Sequence, residues 1–182
     1  MLKKRVFIGS FINIPSFKKH YTQIKKDFGG IISGRWIHER NFHITFRFIG
    51  EIETEKLCLI KQSLNPVLNK KISTEINFTG LGAFPDITRP RVFFINVVDK
   101  EGVLNEIYTS INSKLNNLGF KNELKPFKPH ITLKRIKGYN SSKFAEKINR
   151  YRDISFGSQQ EIEINIIESI LTPKGAYYKK LE

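Results

Sequence analysis

Apolar residues recur along this chain with two different spacings. Runs that alternate or stay apolar over a few residues, bounded by Gly, Pro or Asn, predict strands at Val6–Ile12, Asn41–Ile49 (ended by Gly50), Ile72–Phe78 and Val92–Val98. Further strands are expected around residues 130–133, at Ile154–Phe156, Ile162–Leu171 and Tyr177–Tyr178. Between them the spacing lengthens to that of helices. Pro15-Ser16 opens a lysine-rich helix that stops near Phe28-Gly29-Gly30, and Glu53–Leu68 follows with Thr54 as cap and Leu57, Ile60, Leu64, Val67 and Leu68 on one side. Val103–Leu118 and Ser141–Tyr151 complete the helices. The stretch from Thr79 to Pro90 is rich in turn residues and falls near the midpoint, and the elements after it repeat the order of those before it. The pattern predicts an α+β fold of two pseudo-symmetric lobes, each an antiparallel sheet with helices on its outer face. The expected organisation is a single bilobal domain over 1–182, with the lobes divided near 79–91 and a ligand groove between them.

Two of the predicted strands carry the same tetrapeptide pattern, His43-Ile44-Thr45-Phe46 and, 87 residues later, His130-Ile131-Thr132-Leu133. The two-residue period of a strand puts each histidine and its threonine on one face. Imidazole both takes and gives a proton near neutral pH, and a hydroxyl beside it can hold an anionic oxygen. Two such pairs across a groove would flank one phosphodiester as acid and base, without a metal, while an arginine clamps the phosphate. Arg135 is the nearest candidate. Parity opposes it: counting by two from His130 puts Arg135 with Ile131 and Leu133 on the other face, and Phe48 stands in the same relation to His43. If either acts on substrate, its strand must end, bend or bulge first.

A formal charge of +14, from 31 Lys and Arg against 17 Asp and Glu, points to a polyanionic partner such as RNA. Cys58 is the single cysteine, which excludes an internal disulfide and is expected to pack as a small apolar residue. No apolar stretch nears the ~20 residues that span a membrane, and the Met1-Leu2-Lys3-Lys4-Arg5 start reads as the approach to a first strand, not a leader; a cytoplasmic protein is expected. His20 and His38 are expected to be structural, and Trp36 a core or lobe-interface anchor. A metal site from His38, His43 and His130 lacks clustered carboxylates to complete it.

The extended motifs, His43-Ile-Thr45-Phe-Arg-Phe48 and His130-Ile-Thr132-Leu-Lys-Arg135, resemble those of the two-histidine phosphoesterases, in particular the RNA 2′,3′-cyclic phosphodiesterases also labelled 2′-5′ RNA ligases. Phe7-Ile8, Gly82-Ala83-Phe84-Pro85, Pro90-Arg91-Val92, Phe127-x-Pro129-His130 and Leu171-Thr172-Pro173-x-Gly175-Ala176-x-Tyr178 look like the same family in the same order. The resemblance implies hydrolysis of an RNA 2′,3′-cyclic phosphate end to a 2′-phosphate, without cofactor or obligate protein partner, in a monomer. It assigns His43 as acid to the ribose 3′ oxygen, His130 as base to water, Arg135 as the phosphate clamp and Phe48 as the base-stacking platform, while Thr45 and Thr132 are expected from their strand positions to donate to the non-bridging phosphate oxygens. Phe94 departs from the family's commoner Trp. Alternatives are reversible 2′-5′ RNA joining by the same pair and a non-catalytic basic RNA-binding module.

Overall fold

The computed structural model describes residues 3–121, 123, 125–173 and 175–181; the Met1-Leu2 start lies outside the described residues. Among the described residues nine strands and four α-helices follow in the order β1 (Lys3–Phe11), α1 (Phe17–Phe28), β2 (Ile32–Trp36), β3 (His43–Glu53), α2 (Thr54–Leu64), β4 (Lys71–Phe84), β5 (Val92–Asp99), α3 (Val103–Asn117), β6 (His130–Tyr139), α4 (Ser141–Asn149), β7 (Ser155–Glu163), β8 (Asn165–Thr172) and β9 (Gly175–Leu181). All strand pairs within the sheets are antiparallel. They form a four-stranded sheet ordered β3-β1-β8-β9 and a five-stranded sheet ordered β2-β6-β5-β4-β7. This is the expected α+β architecture of two facing sheets.

Each helix buries one stripe. In α1 it is Phe17, Tyr21, Ile24 and Phe28, and Phe28 meets Phe93 of β5 and Phe144 of α4, so α1 and α4 cover the five-stranded sheet. Helices α2 and α3 pack on each other and on β3 of the other sheet, through Leu57, Ile60 and Leu64 and through Leu104, Ile107, Ile111 and Leu115. Thr54 begins α2 with Glu53 at the cap position, and the helix stops at Leu64; Val67 and Leu68 reach the core from the turn beyond it. Cys58 is exposed, one step off the Leu57–Ile60 stripe, contrary to the expected packing.

The chain does not divide between sheets at 79–91. β4 runs on through Phe84, with a bulge between Phe78 and Leu81 that absorbs the glycine expected to make a turn. The true connection is 85–91, where Asp86 Oδ1 accepts from the backbone N–H groups of Thr88 (2.8 Å) and Arg89 (2.9 Å). Nor is Ile162–Leu171 one strand. The chain changes sheets at Ile164, fully buried and bridged to Leu68, so β7 ends in one sheet and β8 begins in the other. The apolar run continues across this crossing because both sheets bury it.

One buried cation ties β3 to the segment leading toward β6. Arg47, 6% exposed, donates from Nη1 to Asn112 Oδ1 at 2.7 Å and from Nη2 to the Lys121 carbonyl, with Glu123 3.8 Å from Nε. Replacing Arg47 by Met strands those acceptors, and the expected loss is about 2–3 kcal/mol in urea unfolding at neutral pH.

Candidate active site

The two motif strands break their two-residue period at corresponding places. On β3, Thr45 lies opposite Gly9 of β1 and Arg47 opposite Ile8, so Phe46 is an extra residue; Phe48 then lies opposite Phe7. On β6, Thr132 lies opposite Phe94 of β5 and Lys134 opposite Phe93, so Leu133 is extra and Arg135 falls opposite Val92. A bulge sets two residues against one, and the pair after it returns to the earlier face. Thus Phe46 with Arg47, and Leu133 with Lys134, all turn inward and are buried, while Phe48 rejoins Thr45 and Arg135 rejoins Thr132. The parity conflict in the sequence is resolved by these two bulges.

The imidazoles are held alike. His43 Nδ1 lies 2.6 Å from the Asn41 carbonyl and His130 Nδ1 lies 2.8 Å from the Lys128 carbonyl. A carbonyl only accepts, so each Nδ1 carries the hydrogen and each Nε2 is left with its lone pair for chemistry. Asn41 is itself fixed by its Nδ2 donating to the Ala176 carbonyl of β9 at 2.8 Å. Each imidazole also sits between two rings. His43 contacts Phe7 (centroids 4.7 Å) and, edge-on, Tyr178 (4.9 Å); His130 contacts Phe84 (4.9 Å) and Phe94 (5.1 Å).

These apolar walls set the protonation states. Burial pushes His43 down from 6.5 to about 4, opposed by its bond to Asn41 and reinforced by the charges of His130 and Arg135. His130 is lowered too, by burial first and then by the Lys128 and Arg135 charges, against its bond to the Lys128 carbonyl. Both imidazoles therefore sense Arg135, and His43 senses His130, which places the three in one electrostatic site. Both rings are neutral at pH 7 in the free protein.

A groove of about 810 Å³ opens beside them, reached by Thr45, Phe48, Phe84, Arg91, Lys125 and His130; His43, Thr132 and Arg135 do not line it. Phe48 is 47% exposed, with the Arg5 guanidinium 4.9 Å from its ring centroid. Tyr178, Phe84 and Arg5 had no assigned role in the sequence reading. Tyr178 and Phe84 lay in segments that resembled the family, but only tertiary packing joins them to the histidines. His20 packs edge-on against Phe156, and His38 Nδ1 accepts from the Arg40 backbone N–H at 3.3 Å, both structural as expected. Trp36, partly buried, packs against Tyr21 and Phe93 at the margin of the core. Among the described residues no three His, Cys, Asp or Glu side chains cluster as metal ligands, and no helix is long and apolar enough to cross a membrane.

The depressed values fix a sign. In NMR titration of the free protein, His43 stays neutral down to about pH 4 and His130 has a midpoint below 6.5; inorganic phosphate raises both. Between 6.5 and about 4 the unfolded chain binds more protons, so the stability from neutral His43 is complete above 6.5 and is lost as pH falls toward 4. The urea midpoint drops through that window, and drops less in His43→Asn.

Comparison with known proteins places this arrangement. The AKAP7 2'5' RNA ligase-like domain family matches residues 13–182. The chain is 36% identical over 177 residues to an RNA 2',3'-cyclic phosphodiesterase of Archaeoglobus fulgidus, covering 97% of both chains. It is 32% identical over 183 residues to the protein of the same name in Aquifex aeolicus, covering 98% of this chain and 95% of that one. Among solved structures, TT0787 of Thermus thermophilus matches with a TM-score of 0.78 at 23% identity, over 98% of this chain and 95% of that one. E. coli LigT complexed with 3'-AMP matches at 0.71 and 20%, over 100% and 97%. At those identities the structural likeness establishes the fold.

Proposed function

Since this chain belongs to the AKAP7 2'5' RNA ligase-like family of two-histidine phosphoesterases, we propose that it hydrolyses RNA 2′,3′-cyclic phosphate ends to 2′-phosphomonoesters without a metal ion. The observation that carries this reading is the matched pair of bulged strands. Each presents an imidazole with Nδ1 already engaged, a threonine, and a third residue returned to the same face. Two poised Nε2 atoms exceed what a binding module needs.

In the reaction, His130 Nε2 takes a proton from water as its oxygen attacks phosphorus. The bond from phosphorus to the ribose 3′ oxygen breaks, and His43 Nε2–H protonates that oxygen, leaving a free 3′ hydroxyl and a 2′-phosphate. The neutral His43 of the free protein must first gain its proton. The anionic phosphate, bound by Arg135 and the Thr45 and Thr132 hydroxyls, supplies the field that raises its pKa. Substrate binding near neutral pH is thus coupled to proton uptake. The terminal base stacks on Phe48, and surface Lys and Arg capture the chain electrostatically. Both motifs lie in one chain, so the protein acts as a monomer, and it acts on cytoplasmic RNA.

The decisive measurement follows the terminus of a 2′,3′-cyclic-phosphate oligonucleotide with EDTA present. The expected product is the 2′-phosphate, with His43→Ala and His130→Ala each slower by at least ~10²–10⁴. No turnover, or turnover that survives both changes, sinks the proposal. Phe48→Ala is expected to raise KM far more than it lowers kcat, because stacking on a base is worth roughly 1–3 kcal/mol.

A further inference from the structure

Two arginines face each other at the edge of the five-stranded sheet. In the pairing of β2 with β6, Arg35 lies directly opposite Arg135. Directly opposed residues of an antiparallel pair project to the same face, with Cα atoms about 4.5–5.5 Å apart. Because the bulge in β6 returns Arg135 to the sheet face of His130 and Thr132, Arg35 stands on that face too, beyond the residues that line the groove of about 810 Å³. Like charges so placed destabilise a sheet unless something between them is negative. Among the described residues neither guanidinium forms an ion pair with a carboxylate.

The hairpin of β8 and β9 lies against Arg35. Its Nη2 donates to the Pro173 carbonyl at 3.3 Å. Gly175 sits at φ 126°, and a Cβ there would come within 2.9 Å of Arg35 Nη1. Among the described residues this is the one hydrogen bond of the Arg35 side chain, and Arg35 is exposed. Such an arrangement orients a cation without neutralising it.

The terminal phosphate has partners enough in Arg135, Thr45, Thr132 and the two imidazoles. β2 is the outer strand of its sheet, so Arg35 stands outward of Arg135. A cyclic phosphate occupies the 3′ end of its strand, and everything upstream must leave the site outward. The next negative group along it is the phosphodiester that joins the terminal nucleoside to its neighbour. Arginine's planar fork suits a phosphate's paired oxygens. We propose that Arg35, opposite Arg135, forms a second anion site that binds the internucleotide phosphate immediately 5′ of the cyclic end, so that the protein selects oligonucleotides over cyclic mononucleotides. This rests on the hydrolytic reading above.

The test compares a 2′,3′-cyclic mononucleotide lacking a 5′ phosphate with a dinucleotide that ends in the same cyclic nucleotide. The wild-type protein is expected to have the lower KM for the dinucleotide. Arg35→Ala raises the dinucleotide KM about tenfold relative to its effect on the mononucleotide, keeps the dinucleotide kcat, and flattens the salt dependence of dinucleotide capture by about one phosphate's worth. Arg35→Lys, charged but without the fork, recovers part of the difference. Thermal unfolding of Arg35→Ala separates any loss of the hairpin contact from loss of the phosphate. An equal fold loss on both substrates, or no loss on either, overturns the second site. Wild-type protein that turns over both substrates with equal KM also overturns it while leaving the hydrolytic reading intact. Wild-type protein that turns over neither fails that reading first, and this proposal with it.

Discussion

An unbroken β-strand cannot present a histidine, the residue two places on and the residue five places on to the same ligand. The proposed site requires just that of β3 and of β6, and one inserted residue in each satisfies it. Each bulge also turns two consecutive side chains inward, and in both strands the second is a cation that the interior must accommodate. On β3, Arg47 is met by Asn112 and the Lys121 carbonyl. On β6, Lys134 donates to the Ile32 carbonyl at 3.0 Å and lies 4.4 Å over the Trp36 ring. The chemical geometry on the groove side and the buried polar contacts on the helix side are two faces of one backbone irregularity. Altering either bulge would disturb both.

The aromatic walls around the imidazoles impose a second constraint. Phe7 with Tyr178, and Phe84 with Phe94, hold the rings in place but also strip them of water, which favours the neutral form of each. An acid and base pair that rests neutral is half ready. On the proposed mechanism its other half would arrive with the anion, whose charge would make protonation favourable only when there is something to protonate. Arg135 helps keep the imidazoles uncharged in the free protein, and on the proposed mechanism a bound phosphate would offset its charge.

Much of this was legible in the sequence because strand chemistry is local. Alternation located most strands, the paired motifs located the histidines, and parity counting required each strand to end, bend or bulge if Phe48 and Arg135 act on substrate. What stayed hidden is tertiary. A glycine in Thr79-Gly80-Leu81 reads as a turn whether it ends a strand or sits in a bulge, and only the partners β5 and β7 distinguish the two. The passage from β7 to β8 at Ile164 is silent because a residue buried by one sheet looks the same as one buried by another. Cys58 was misplaced by a single helical step. The contact of Tyr178 with His43 and the pairing of Arg35 with Arg135 span 135 and 100 residues, so no local pattern could reveal either.

The pairing of β1 with β8 joins residues near opposite ends of the described chain, with Val6 opposite Glu168. β8 in turn is needed to place β9, which supplies the Tyr178 wall of His43 and the Ala176 carbonyl that fixes Asn41. During synthesis, then, both histidines leave the ribosome well before the groove that makes them useful exists. The four-stranded sheet stays open until the hairpin folds back onto a strand made at the beginning. A chain that has emerged only through β6 carries both histidines but lacks β9, so His43 is without its Tyr178 wall and Asn41 without its Ala176 anchor.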